Sequence, residues 1–331
     1  MNFRLFLLLL LCFSGPWAVA QTTTEARRFV GGPDHMFFKV LYSPRLLGLD
    51  IKKNTVPYFK GEPVNRDLVG VAAYALGIGI EAYFPSPMQS AMEKKWGVER
   101  KASDLQGNVF ANAFNLQYAY QRYEGWEDQM RNDFNPNFFF RQFSLTALYV
   151  FDANKHSWKS PINQTSRHIL SGGSFVTGLE GKWLKVNENK ESFFQTGSPA
   201  QLTAPIFNLE GTWNGFLLWP GYAHTFRVRH FYLSMGMFTG FGLMHNEVIE
   251  DAAILKGWNQ TWGLRTRLGL GYNDGKWLIG AYLQQEKATM HGEVYQLSPD
   301  NTMLKFSFGY RFASPKGLED LRTRLPILRS F

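Results

Sequence analysis

Seven histidines, His35, His156, His168, His224, His230, His245 and His291, are the first residues whose type could carry chemistry. A zinc-binding helix sets two histidines around a glutamate in HExxH spacing, and no such run occurs in the sequence. A serine hydrolase on the outer wall of a membrane barrel would need a His close to a Ser with an Asn or acid behind the imidazole. No nucleophile motif marks such a serine. The histidines therefore read as structural or surface groups, and an outer-membrane lipid hydrolase is the least favoured function. No catalytic residue, cofactor or metal ligand is assigned. The acidic group Glu124, Glu127, Asp128 and Asp133 could bind divalent cations or bridge lipopolysaccharide through them, against the plainer reading of a solvated loop. The glycine strings 172–178 and 269–275 lack the Gly-Lys-Ser/Thr ending of a phosphate loop and lead into no helix.

The other polar residues of interest share a spacing. Leu304, Phe306, Phe308, Tyr310 and Phe312 alternate with Lys305, Ser307, Gly309 and Arg311. Thr266, Leu268, Leu270 and Tyr272 alternate with Arg265, Arg267, Gly269 and Gly271, and Phe114, Leu116, Tyr118 and Tyr120 with Asn115, Gln117, Ala119 and Gln121. Period two is the repeat of a strand with one apolar and one polar face. Soluble sandwiches and lipocalin-like barrels alternate too. Here the polar faces mix charged and small residues, as in Ser174, Gly178, Glu180 and Lys182, which suits a wet lumen, while Leu, Phe and Tyr face the other way. Arg265, Arg267, Glu180, Lys182, Lys305, Arg311, Gln117 and Gln121 are the candidate lumen-lining residues. Their basic surplus favours an anionic solute.

The elements that position them are strands near 37–50, 67–75, 76–84, 103–111, 113–123, 138–151, 171–185, 215–228, 230–245, 261–273, 276–290 and 302–312. This predicts an all-β, antiparallel up-and-down transmembrane β-barrel of about twelve strands, within a range of about ten to fourteen. Connections at Ala75/Leu76, Asn112, Arg229 and Asn273-Asp274-Gly275 are tight, whereas 53–66, 85–102, 124–136, 187–214, 246–260 and 291–301 are long. Parity puts the tight turns at one end, as periplasmic turns, and the long loops outside. The connection 152–170 breaks the parity. Trp183, Trp213, Trp219, Trp258, Trp262 and Trp277 fall toward strand ends and are expected in an aromatic girdle.

Composition sets the compartment. Arg4, the apolar run Leu5 to Phe13 and Ala18-Val19-Ala20 before Gln21 form a secretory signal over 1–20. Its removal takes away Cys12, the only cysteine, and lowers the formal charge from +8 to +7 with Arg4. The expected division is signal 1–20, a periplasmic extension 21–35, the barrel 36–312 and a tail 313–331 that either plugs or flanks the mouth or frays. The 331 residues include 10 Trp, 14 Tyr, 29 Phe and 31 Gly with 19% charged residues, which excludes a disordered chain or a disulfide scaffold. Basic charge is spread along strands and forms no stripe for nucleic acid.

Tyr42-Ser43-Pro44 with Leu47-Gly48-Leu49, Leu76-Gly77-Ile78-Gly79-Ile80, Asp104-Leu105-Gln106 through Gly125, Ser171-Gly172-Gly173-Ser174-Phe175, Gly271-Tyr272-Asn273 and Gly309-Tyr310-Arg311-Phe312 occur in order along the chain. This set resembles the domain-of-unknown-function family 4421. The resemblance implies an outer-membrane barrel from Bacteroidetes-like bacteria and carries no catalytic residues. The expected role is a small channel or transporter for a small polar or anionic solute, rather than an enzyme. The alternative is a structural or adhesive surface barrel that binds a partner or envelope component through its outer loops. Expected partners are outer-membrane lipids and, during insertion, the barrel-assembly machinery.

Overall fold

The computed structural model describes residues 29–30, 35–64, 66–88, 101–111, 113–130, 133–158, 167–168, 170–187, 209–250 and 253–315. The expected signal 1–20, most of the expected extension 21–35 and the tail from 316 onward lie outside the described residues. Where period-two alternation runs, strands form: β1 (Phe29–Val30), β2 (His35–Lys53), β3 (Val56–Pro63), β4 (Asp67–Ala75), β5 (Ile78–Pro85), β6 (Ala102–Ala111), β7 (Phe114–Asp128), β8 (Asp133–Val150), β9 (Arg167–His168), β10 (Gly172–Asn187), β11 (Leu209–Val228), β12 (Phe231–Glu250), β13 (Ala253–Asn273), β14 (Trp277–Met290) and β15 (Tyr295–Ala313). The short strands β1 and β9 pair only with each other.

The other thirteen strands form one antiparallel sheet, and β15 pairs with β2, so the sheet closes into a barrel. Closure leaves no unpaired edge along this seam, the condition under which strands can cross a bilayer. β3 and β4 share one row, since β2 pairs with β4 along 37–44 and with β3 along 49–53. The hairpin β5–β6 occupies only the part of the wall nearer the tight turns. Beyond it β3 pairs directly with β7, Gly61, Glu62 and Pro63 lying opposite Asp128, Glu127 and Trp126. The ring thus has twelve rows at the tight-turn end and ten at the other.

The apolar faces turn outward. On β15 Phe306, Phe308 and Phe312 are exposed, as are Phe38, Val40 and Leu46 on β2 and Leu233, Met235, Met237, Phe241 and Leu243 on β12. The outward run from Leu304 to Phe312 matches the ~9–11 residues with which a tilted strand crosses a bilayer. Trp258, Trp262 and Trp277 lie exposed on this outer face, and Trp183 is half-buried there. Trp213 and Trp219 correct the girdle expectation: they are 1% and 0% exposed and point inward. The reason is parity, because on β11 they share the inner face with Gly215, Leu217 and Ala223, while Phe216, Leu218, Tyr222 and Phe226 take the outer one.

The long loops are also corrected. Most of 53–66 is β3, entered through the turn Asn54-Thr55, and β7 and β8 continue to Asp128 and from Asp133. β12 and β13 extend to Glu250 and from Ala253, and β15 begins at Tyr295. Above the apolar belt the outer face carries Asp50, Lys52, Glu210, Glu247 and Lys256, so the apolar–polar alternation fades although the ladder of backbone hydrogen bonds continues. The connections 89–100 and 188–208 lie outside the described residues. The exceptional connection after β8 turns at 151–155 and then sends His156, Ser157 and Trp158 into the barrel, where they are 1%, 5% and 3% exposed.

Candidate functional site

Inside the wall three layers follow one another. At the tight-turn end Phe37, Leu41, Leu68, Ala72, Tyr74, Tyr83 and Leu278 form a small apolar cluster. Toward the other end the inner face is filled by a larger one with Leu49, Phe59, Trp126, Phe138, Phe140, Leu184, Trp213 and Leu297, which continues along one side to Phe110, Val150, Trp158 and Val176 near the tight turns. Between them sits a layer of charged and amide side chains around a cavity of about 80 Å³, room for several waters.

Each group reaches this layer because it stands on the inner face of its strand. Arg265 on β13 bridges two carboxylates, its Nη2 lying 2.6 Å from Glu180 of β10 and 2.7 Å from Glu286 of β14. Its guanidinium stacks 4.2 Å from the Trp219 ring, whose Nε1–H donates to Glu180 at 2.6 Å. Lys182 completes the group at 2.5 Å from Glu286. Across the lumen Glu81 of β5 accepts from Lys305 at 3.0 Å and from the hydroxyls of Tyr74 and Tyr83. A third group joins β2, β6, β7 and β15: Arg45 lies 2.6 Å from Asp104, which also accepts from Gln106 and Gln121, each at 3.0 Å. Asn301 donates to Gln121 at 3.1 Å.

Arg267 differs. Its Nη2 donates to the amide oxygen of Gln117 at 3.0 Å, and its guanidinium lies 5.2 Å from the Trp158 ring and 5.7 Å from that of Phe238. Its Nε and Nη1 have no hydrogen-bond partner. The cations Arg45, Lys182, Arg265, Arg267 and Lys305 stand in this layer with the carboxylates of Glu81, Asp104, Glu180 and Glu286. Of these five cations Arg267 is the one without a carboxylate contact among the described residues.

Seven of the eight sequence candidates, Arg265, Arg267, Glu180, Lys182, Lys305, Gln117 and Gln121, therefore stand in one layer. Arg311 lies nearer the tight-turn end, 4.6 Å from the Phe37 ring. Alternation alone missed Glu81, Asp104, Glu286 and Arg45, although each has the parity of its strand's small or polar face. It also missed Trp158, for which no local periodicity exists. Of the acidic group, Glu124 pairs with Arg122 and Lys101, and Asp128, buried on the inner side, stands opposite Asp133 in the β7–β8 ladder. Among the described residues no group of three or more His, Asp or Glu is placed to hold a metal ion.

A family model described as "Domain of unknown function (DUF4421)" matches residues 79–312. No curated protein matches. Among solved structures the chain is similar to the outer membrane protease OmpT from Escherichia coli, at 9% identity and a TM-score of 0.42 over 86% of this chain and 98% of that one. It is also similar to the translocator domain of the autotransporter NalP from Neisseria meningitidis, at 9% identity and 0.30 over 83% and 88%. The outer membrane protein OprG from Pseudomonas aeruginosa gives 10% identity and 0.24 over 85% and 97%.

Proposed function

This chain belongs to the DUF4421 family, and from that premise we propose that it is an outer-membrane barrel whose central chamber takes a small polar or anionic solute and is shut in the conformation described. The observation that carries this reading is the polar cavity between two apolar layers, lined by Arg45, Gln117, Arg265, Arg267, Glu286 and Lys305. A polar layer of this kind would be costly to bury for packing alone, since buried ion pairs offer little net stability over apolar residues of similar volume. Trp158, held against Phe238 at 5.8 Å, is the part of the closure carried by a connection rather than by the wall.

Planar-bilayer recordings test the reading. The wild-type barrel is expected to conduct weakly, and truncation of the closure in a His156→Ala/Trp158→Ala variant to raise conductance several-fold. Charge reversal by Arg267→Glu is expected to shift selectivity from anions toward cations. Silence in all three would favour the second reading, a structural or adhesive surface barrel. The apolar layer that fills the far end of the lumen supports that alternative.

A further inference from the structure

We propose that the mid-lumen cavity is a binding site for one small anion, such as a halide or a short carboxylate, with Arg267 as its anchor. The proposal rests on the reading of the chamber as a solute compartment and adds which charge it takes. Arg267 is 5% exposed and contacts an amide oxygen where Arg265, Lys305, Lys182 and Arg45 each contact a carboxylate. A buried guanidinium without a counter-charge is expensive to keep. The Trp158 and Phe238 rings offer their faces to the cation, whereas the Nε–H and Nη1–H donors lie in the guanidinium plane and need acceptors.

The cavity that Arg267 lines is also lined by Gln117, Gln142, Ser144 and Thr146, side chains able to donate to an anion. Its carboxylates are already engaged. Glu286 is held by Arg265 and Lys182, Glu180 by Arg265 and Trp219, and Glu81 by Lys305 and two tyrosines. A volume of about 80 Å³ suits a ligand of a few atoms.

The test uses the mature barrel in detergent, unfolded in urea and followed by the gel-mobility difference between folded and heat-denatured forms. Sodium bromide is compared with sodium gluconate, an anion too bulky for the cavity, at constant ionic strength. A ligand bound only by the folded state raises its stability with concentration. The wild type is therefore expected to have a higher urea midpoint in bromide, and the difference should vanish in Arg267→Gln and persist in Arg311→Gln. If Arg267→Gln does not fold, Gln117→Glu serves. It places a resident carboxylate beside Arg267 and should raise stability in gluconate while removing the bromide response. Crystals grown in bromide should show an anomalous peak in the cavity beside the Arg267 guanidinium. No bromide response in the wild type, or an equal response in the Arg267 or Gln117 variant, would overturn the site. This is an equilibrium measurement on a closed barrel, so a silent bilayer leaves its outcome unchanged, and a conducting barrel without a bromide response removes the site alone.

Discussion

Among single residues, Arg265 has the most concentrated role. Three groups depend on its charge: Glu180, Glu286 and, through its face, the Trp219 ring. Removing one partner of a buried ion pair leaves an uncompensated charge, typically at a cost of about 3–5 kcal/mol. Arg265→Met is expected to fall in that range by urea unfolding. Adding Glu180→Gln should recover part of the loss, since contacting residues are not additive. Asp274 offers a contrast at the surface. Its carboxylate accepts the N–H groups of Lys276 and Trp277, each at 2.8 Å, and these two backbone bonds hold its pKa below the usual carboxylate range. Because the folded value is the lower one, the stability it confers is complete above the unfolded value of about 3.9. It is lost as the pH falls through the folded value. Solvent screening limits the effect to roughly 0.5 kcal/mol, so Asp274→Ala should lower the urea midpoint slightly at pH 7 and lose that effect in strong acid.

Turns and strands show what the sequence could and could not express. The hairpin of β13 and β14 was legible because Asn273-Asp274-Gly275 separates two clean alternations, and Gly275 takes φ +107° as such a turn requires. The hairpin of β2 and β3 was not. Its turn residues Asn54 and Thr55 both take positive φ, 49° and 69°, the signature of a type I′ turn, which is usually written Asn-Gly. A β-branched residue in that region is strained by about 1–2 kcal/mol. Thr55→Gly is therefore expected to stabilise the barrel by about 1 kcal/mol, measurable as a higher urea midpoint. The rim strands were hidden for a different reason: outside the belt there is no lipid to demand apolar side chains, so pairing continues without a hydrophobic period. Within the belt the signal was strong enough to bring seven lumen candidates to one layer. Their partners Glu81 and Asp104 stand on the short strands β5 and β6, where few residues are available to display a period. For Trp213 and Trp219, parity with Gly215 and Leu217 is a better guide to the face than distance to a strand end.

The whole molecule depends on joining residues nearly the full chain apart, Phe308 opposite Val40 at the β15–β2 seam. Directly opposed antiparallel residues are close enough for a disulfide, and Cys12, within the segment expected to be a signal, is the only native cysteine. Val40→Cys/Phe308→Cys should therefore form one cross-link in the folded barrel, seen as a faster-migrating band in non-reducing gels of the unfolded protein. Its absence from correctly inserted protein would contradict the closure. Until β15 is made, β2 presents an unpaired edge, and such an edge invites pairing with other chains. The unequal ring adds a sense of direction. Barrel diameter grows roughly linearly with strand number, so the ten-row end is narrower than the twelve-row end by about a sixth. Trp158 comes in from the wide end. It stands against Phe238 with the narrowing wall beyond it, like a stopper entered from the broad mouth.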